Sequence, residues 1–222
     1  MTLARKRWSF TDAPQDRFGL LVMLLVASFL VSGIDRGGGV RLVASLLNLA
    51  ALVVGFTSTR RFARRWVLAA LVGVGVAGSV LVTGDSPESL AAAIGASLEV
   101  VVLGALTIAV VFRVVSHERV NNQTILGAIA AYFLIGQVFA WAYLALPGYL
   151  DEPILDPANA GELPIYYSYV VLTTLGFGDI TPVTALAERI TVLESITGQM
   201  FLAILVARLV SVYARDRQPS DS

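Results

Sequence analysis

Thr174-Leu175-Gly176-Phe177-Gly178-Asp179 is the stretch of this chain whose residue types and spacing most directly suggest chemistry. Glycine at alternate positions opens backbone conformations closed to other residues. An extended run built this way can turn successive main-chain carbonyls toward one axis, and four such runs make rings of oxygen that replace the hydration shell of a dehydrated cation. The Thr174 hydroxyl adds a ring at one end, and Asp179 places a carboxylate where it can draw cations in. Other chemistries lack parts. With no cysteine in 222 residues, disulfides, thiolate zinc sites and cysteine nucleophiles are excluded. One histidine, His117, and no clustered carboxylates leave no catalytic constellation, so no enzyme and no cofactor are expected beyond a permeant ion.

Irregular backbone at membrane depth survives only when buried in protein or lining a watery path, so the rest of the chain has to supply a membrane scaffold. Composition agrees: 56% of residues are hydrophobic, 14% are charged and mean hydropathy is +0.76, an apolar surplus over a soluble domain. Sixteen basic residues balance sixteen acidic ones, which argues against a nucleic-acid partner. Six apolar stretches of spanning length are predicted as helices: 18–34, 40–56, 66–82, 90–112, 124–146 and 190–212. The basic residues test that count independently, because they collect in cytoplasmic loops. Arg5, Lys6, Arg7 and Arg17, then Arg60, Arg61, Arg64 and Arg65, then Arg113 and Arg119, and finally Arg208, Arg215 and Arg217 all fall on one side. Only Arg36, Arg41 and Arg189 fall on the other, so both termini are expected in the cytoplasm of a multi-pass protein of the plasma membrane. Span one is too long for a cleaved signal peptide, and losing it would invert the charge pattern.

Between spans five and six, residues 147–161 carry three prolines and three acidic residues and read as an exposed extracellular turret. Residues 163–174 are apolar and aromatic but too short to span, which favours a re-entrant helix. Pro164 suits its first turn and Glu162 favours the positive end of its dipole. The negative end then points toward the permeation path.

The string LTTLGFGDITP, Leu172 to Pro182, resembles the selectivity filter of potassium channels, usually TVGYG followed by aspartate. The resemblance is specific over 124–215; over the whole chain it is a looser similarity to prokaryotic six-helix potassium channels. It implies an all-α membrane protein with six transmembrane helices, a re-entrant pore helix and a filter loop, assembled as a tetramer. It further implies potassium ligands at the main-chain carbonyls of Thr174, Leu175, Gly176 and Phe177 and the Thr174 hydroxyl, with Gly178 completing the filter. Thr173, Asp179, Tyr166 and Tyr167 are its expected supports and Gly198 the expected hinge of the inner helix. Three residues depart from the family pattern. Leu175 replaces a β-branched residue, Phe177 replaces tyrosine, and Tyr166-Tyr167 stand where many members have tryptophans, so a tyrosine hydroxyl has to substitute for the indole that usually bonds the aspartate.

The expected organisation is a cytoplasmic N-terminus over 1–17, a four-helix voltage-sensor-like domain over 18–115, a connector over 116–123, a pore domain over 124–215 and a short tail over 216–222. Span four holds no arginine before Arg113. Steep voltage gating needs three or four charges per subunit, so it is not expected here. Glu99 inside that span is expected to be protonated or paired within the bundle. His117 sits where protonation could pull on the pore helices, although an isolated histidine usually does nothing. Asn48 and Gln137 should make interhelical hydrogen bonds worth about 0.6 kcal/mol each. Gly75 and Ser79 suit close helix packing, and so does Gly198 as the alternative to a hinge. Glu194, Thr197 and Gln199 are polar residues facing either filter support or a wet cavity, and Arg208 should snorkel to the interface. The reading is a homotetrameric potassium channel in contact with lipid, with no nucleic acid or soluble ligand implied. A weakly selective cation channel and a non-conducting accessory subunit stay open beside it.

Overall fold

The computed structural model describes residues 17–32, 38–58, 73–78, 89–116, 122–156 and 164–215. The N-terminal segment, His117, Glu162, most of the third expected span and the end of the expected turret lie outside these. The described residues form α1 (Phe18–Ser32), α2 (Gly38–Ser58), α3 (described over 73–78), α4 (Leu90–Val115), α5 (Asn122–Ala145), α6 (Pro147–Leu150), α7 (Pro164–Leu172) and α8 (Ala185–Arg215). Among the described residues there is no strand, only an isolated antiparallel bridge between Leu155 and Pro182.

Local sequence accounts for the element ends. Ser89 starts α4 by accepting the Ala92 amide on its hydroxyl at 3.2 Å, which satisfies one of the orphan N–H groups of a first turn. Pro147 opens the single turn of α6, and Asp151 closes it in a left-handed conformation, φ 55°. At the far end of α4 the orphan carbonyls are met from another helix. Arg208 of α8 donates from Nη1 to Val114 O at 2.8 Å and from Nη2 to Val115 O. Arg208 therefore caps α4 rather than only snorkelling to the interface, because two carbonyls of the last turn lie within reach of its planar fork.

Among the described residues, three helical segments are long and apolar enough to cross a membrane: Leu90–Val115, Asn122–Leu150 and Ala185–Arg208. The other three expected spans are represented by shorter apolar helices over Phe18–Val31 and Leu46–Thr57 and by α3.

One apolar core joins α1, α2, α4 and α5 through Phe18, Leu21, Leu25, Leu52, Phe56, Leu106, Val110 and Leu134. It runs without a break across the sequence boundary at 116–123. Glycines set the closest approaches: a Cβ on Gly127 would lie 2.6 Å from Val114 Cγ2, which makes α4 and α5 a tight hairpin. On α3 the close contact is Gly78, whose Cβ would meet Gly95 O at 2.8 Å, with the buried Glu99 beside it. Ser79, the expected partner of Gly75, is outside the described residues. Asn48 accepts from Ser28 Oγ at 2.8 Å as expected. Gln137 is buried with its Oε1 lacking a hydrogen-bond partner, so the expected interhelical bond through that atom does not form.

A second core holds Tyr143, Ile154, Leu155, Tyr167 and Ala187. The first half of the expected turret is thus not wholly exposed. Ile154 and Leu155 are buried because Val183 N donates to Ile154 O and Asp156 N to Thr181 O, both at 2.9 Å. This pairing ties the two ends of the α7 region together. Helix α8 is the exception in packing: only 11% of its spanning window is buried, against 50% for the span through α5. Leu186, Val192, Ile196, Met200 and Ile204 lie exposed along it.

Candidate functional site

Helix α7 runs for nine residues from Pro164, so it ends at Leu172, two residues before the expected Thr174. Its termination is written in the backbone. Thr174 takes φ +58°, and the amides of Leu175 and Gly176 both reach back to Val170 O, at 2.9 and 3.3 Å, while Thr174 N donates to Val171 O at 2.9 Å. A left-handed residue closing a helix with such back-bonds is a common C-terminal device, usually built on glycine. A β-branched threonine there is unusual and costs on the order of 1–3 kcal/mol, the kind of strain kept at functional sites. The last carbonyls of α7 are engaged as well, Leu172 O by the Tyr132 hydroxyl at 3.1 Å.

Beyond the helix, φ alternates in sign. Thr174, Gly176 and Gly178 are positive, at 58°, 57° and 76°, while Leu175 and Phe177 are not. Alternating hands place successive peptide groups in the same sense, the geometry that gathers main-chain dipoles into ion-binding concavities. A strand would instead point its carbonyls alternately to opposite sides. Residues 173–179 are all exposed, and a Cβ on Gly176 or Gly178 would meet nothing within 4 Å. Leu175 and Phe177 are 56% and 65% exposed. The loop thus presents a free face within one chain.

The expected supports divide. Tyr166 donates its hydroxyl to Asp179 Oδ2 at 2.7 Å, so the tyrosine does replace an indole donor at this aspartate. That bond raises the Tyr166 pKa above its ordinary value, since ionisation would remove the donor and face the carboxylate. Tyr167 turns the other way: its ring is buried against Tyr143 and its hydroxyl lies 2.7 Å from Thr191 Oγ1. The Thr173 hydroxyl bonds back to Tyr169 O at 2.6 Å, bracing the last turn of α7. Gly198 sits where a Cβ would lie 2.5 Å from Leu172 O, and α8 is helical without a break through it. Its role visible here is close packing against α7.

Sequence reasoning passed over most of what stands behind the loop. Glu194 of α8 is fully buried, with Ser168 Oγ 2.5 Å from its Oε1 and the Tyr143 hydroxyl 2.9 Å from its Oε2. Ser168 Oγ is also 2.7 Å from Gly136 O. Tyr169 donates to Phe133 O at 2.7 Å, and its ring meets Phe29 of α1 edge-on with centroids 5.0 Å apart. Gly136 accommodates that ring, for its Cβ would fall 2.7 Å from Tyr169 Cε1. The spacing of Ser168 and Tyr169 on a short aromatic helix read only as apolar. Among the described residues no group of three or more histidine, cysteine or acidic side chains could hold a metal ion.

A family model described as an ion channel matches residues 124–215, which contain α5 through α8 and the glycine-rich loop. The chain is also similar to two pore potassium channel c of Oryza sativa subsp. japonica, at 34% identity over 90 residues that make up 40% of this chain and 19% of that protein. The chain thus spans about a fifth of the length of this curated relative. No solved structure matches. With its apolar spans, the chain is a multi-pass membrane protein whose segment 124–215 is similar to ion channels.

Proposed function

We propose that the chain is one subunit of a homotetrameric, potassium-selective channel of the cell membrane, with six transmembrane helices and both termini cytoplasmic. The observation that carries this reading is the exposed loop over 174–178, whose φ alternates in sign between two apolar spans and at the end of a short buried-side helix. Four copies around an axis would turn the carbonyls of Thr174, Leu175, Gly176 and Phe177 inward, with Gly178 at the outer end, and dehydrated potassium would pass between the rings. The apolar face of α8 supports the same assembly, since it is left uncovered by the chain's own helices. Residues 124–215 form the pore domain, α7 is its re-entrant helix and α8 its inner helix. The printed name of the relative supports potassium over other cations. Helix α4 holds no arginine before Arg113, so the four preceding helices form a sensor-like frame without steep voltage dependence.

Flux from liposomes holding the purified protein and a potassium gradient tests the reading. Potassium and rubidium should move and sodium should not, and Gly176→Ala should stop the flux. Equal sodium flux would establish a weakly selective cation channel instead. No flux from a folded tetramer across a range of pH and lipid would establish an accessory subunit.

A further inference from the structure

The hydrogen bonds behind α7 can be counted, and the count does not close on an ionised Glu194. Five close contacts need a hydrogen between their oxygens: Ser168 Oγ to Gly136 O at 2.7 Å, Ser168 Oγ to Glu194 Oε1 at 2.5 Å, Tyr143 Oη to Glu194 Oε2 at 2.9 Å, Tyr167 Oη to Thr191 Oγ1 at 2.7 Å, and Thr191 Oγ1 to Ala187 O at 2.8 Å. A sixth, Tyr143 Oη to Thr191 Oγ1, is longer at 3.3 Å and can only share a hydrogen already counted. The four hydroxyls bring one hydrogen each. Thr191 uses its hydrogen on Ala187 O, Tyr167 on Thr191, and Tyr143 on Glu194. Ser168 is left between two oxygens, and neither a carbonyl nor a carboxylate can donate to it. The fifth hydrogen has one available source, the carboxyl of Glu194. Burial points the same way, because an isolated ionised carboxylate out of water costs far more than a neutral, hydrogen-bonded acid. Tyr132 and Tyr143 of α5 and Tyr167 and Tyr169 of α7 are the titratable groups that act on or through Glu194, and among the described residues no lysine or arginine pairs with it.

We propose that Glu194 is a positioning residue held as a neutral acid, which donates to Ser168 Oγ while Ser168 donates to Gly136 O, and so latches α5, α7 and α8 together behind the loop. Removing the proton takes one of the five hydrogens away. Ser168 must then release either Gly136 or Glu194, and the seat of α7 loosens. The latch ties the loop's support to pH: it is complete while Glu194 keeps its proton and opens on the alkaline side. The consequence for conduction rests on the channel reading; the protonation state does not.

Infrared difference spectroscopy between the wild-type chain and Glu194→Gln, both in lipid, tests the proton directly. A protonated-carboxyl C=O band at neutral pH that shifts in heavy water and is missing from Glu194→Gln is the expected result. Its absence from wild type overturns the proposal whether or not the protein conducts. Potassium flux against pH then tests the latch. Glutamine can donate to Ser168 and accept from Tyr143 as the acid does, so Glu194→Gln should keep its flux on the alkaline side where wild type falls at least several-fold. Identical pH profiles for the two proteins would overturn the switch. A wild type that shows the band but conducts at no pH would refute the channel reading and leave the proton assignment standing.

Discussion

The two sides of α7 are built by opposite rules. In front, residues 173–179 are exposed, bend through three positive φ values and leave open space beside both glycines. Behind, Ser168, Glu194 and Tyr167 are buried and hydrogen-bonded to groups on α5 and α8. Strain is concentrated where contacts are missing, and contacts where strain is missing. A backbone held in unfavourable torsions persists only when its surroundings over-determine it. Within one chain that determination comes from the rear, through α7.

The largest expected effect breaks the front without touching the rear. Gly176→Ala and Gly178→Ala add a Cβ that meets nothing, at φ +57° and +76°. The cost is torsional, about 1–2 kcal/mol for an L side chain in this region, and falls on the loop alone. Potassium flux should drop to background while the unfolding temperature falls by only a few degrees. Persistent flux in both variants would mean that the alternation of φ is not what conducts.

Next in size is the seam between the two regions. Gly198→Val would push a side chain onto Leu172 O and the Leu172 side chain, 2.5 and 2.9 Å from the Cβ position. A main-chain oxygen cannot step aside as a side-chain tip can, so overpacking of about 1–3 kcal/mol is expected. Thermal stability and flux should fall together. Gly198→Ala sharpens the test, since stability lost with alanine marks a packing position, whereas unaltered stability with a changed open probability would restore the hinge reading.

Ser168→Ala acts on the rear alone. It removes the hydroxyl that both Gly136 O and Glu194 Oε1 use, leaving a buried polar atom without its partner at a cost of about 1–3 kcal/mol. Melting of the solubilised assembly should report that loss, with selectivity retained among the molecules that stay folded. Combined with Glu194→Gln the two changes should fall short of additivity, because they share one contact. Full additivity would show that the serine and the glutamate act separately.

How much of this was legible follows from the same division. The front was readable from Thr174 to Asp179 because alternating glycine is a local backbone signal and needs no knowledge of neighbours. The helix before it was readable from its length and from Pro164 at its start. The rear was legible only in part, through Tyr167 and the polar Glu194, because Ser168, Tyr143 and Glu194 meet only when three helices pack, at sequence separations of 26 and 51 residues. A serine on a helix carries no mark of the carboxylate it will face. Arg208 failed for the same reason: its partners are main-chain carbonyls more than ninety residues away. The spans divided by composition. Long apolar runs gave α4, α5 and α8, which are the described helices long and apolar enough to cross a membrane.

The smallest effect lies at the rim, where a side chain of α7 bonds the outer end of the front, from Tyr166 to Asp179. Tyr166→Phe removes one exposed hydrogen bond and nothing else, so initial flux should equal that of wild type. What should change is persistence: flux should decline faster as the aspartate loses the donor that holds the outer end of the loop, and Tyr166→Trp should restore it by supplying an indole N–H. The pH dependence of this contrast has a defined sign. Asp179 raises the Tyr166 pKa, so the bond's contribution is complete below the ordinary tyrosine value of about 10 and is lost only as pH rises through the higher folded value. The gap between wild type and Tyr166→Phe should therefore stay constant through the neutral and mildly alkaline range in which the Glu194 latch is tested. A gap that closed in that range would mean that the rim and the rear titrate as one unit, and the contrast between the two sides of α7 would no longer hold.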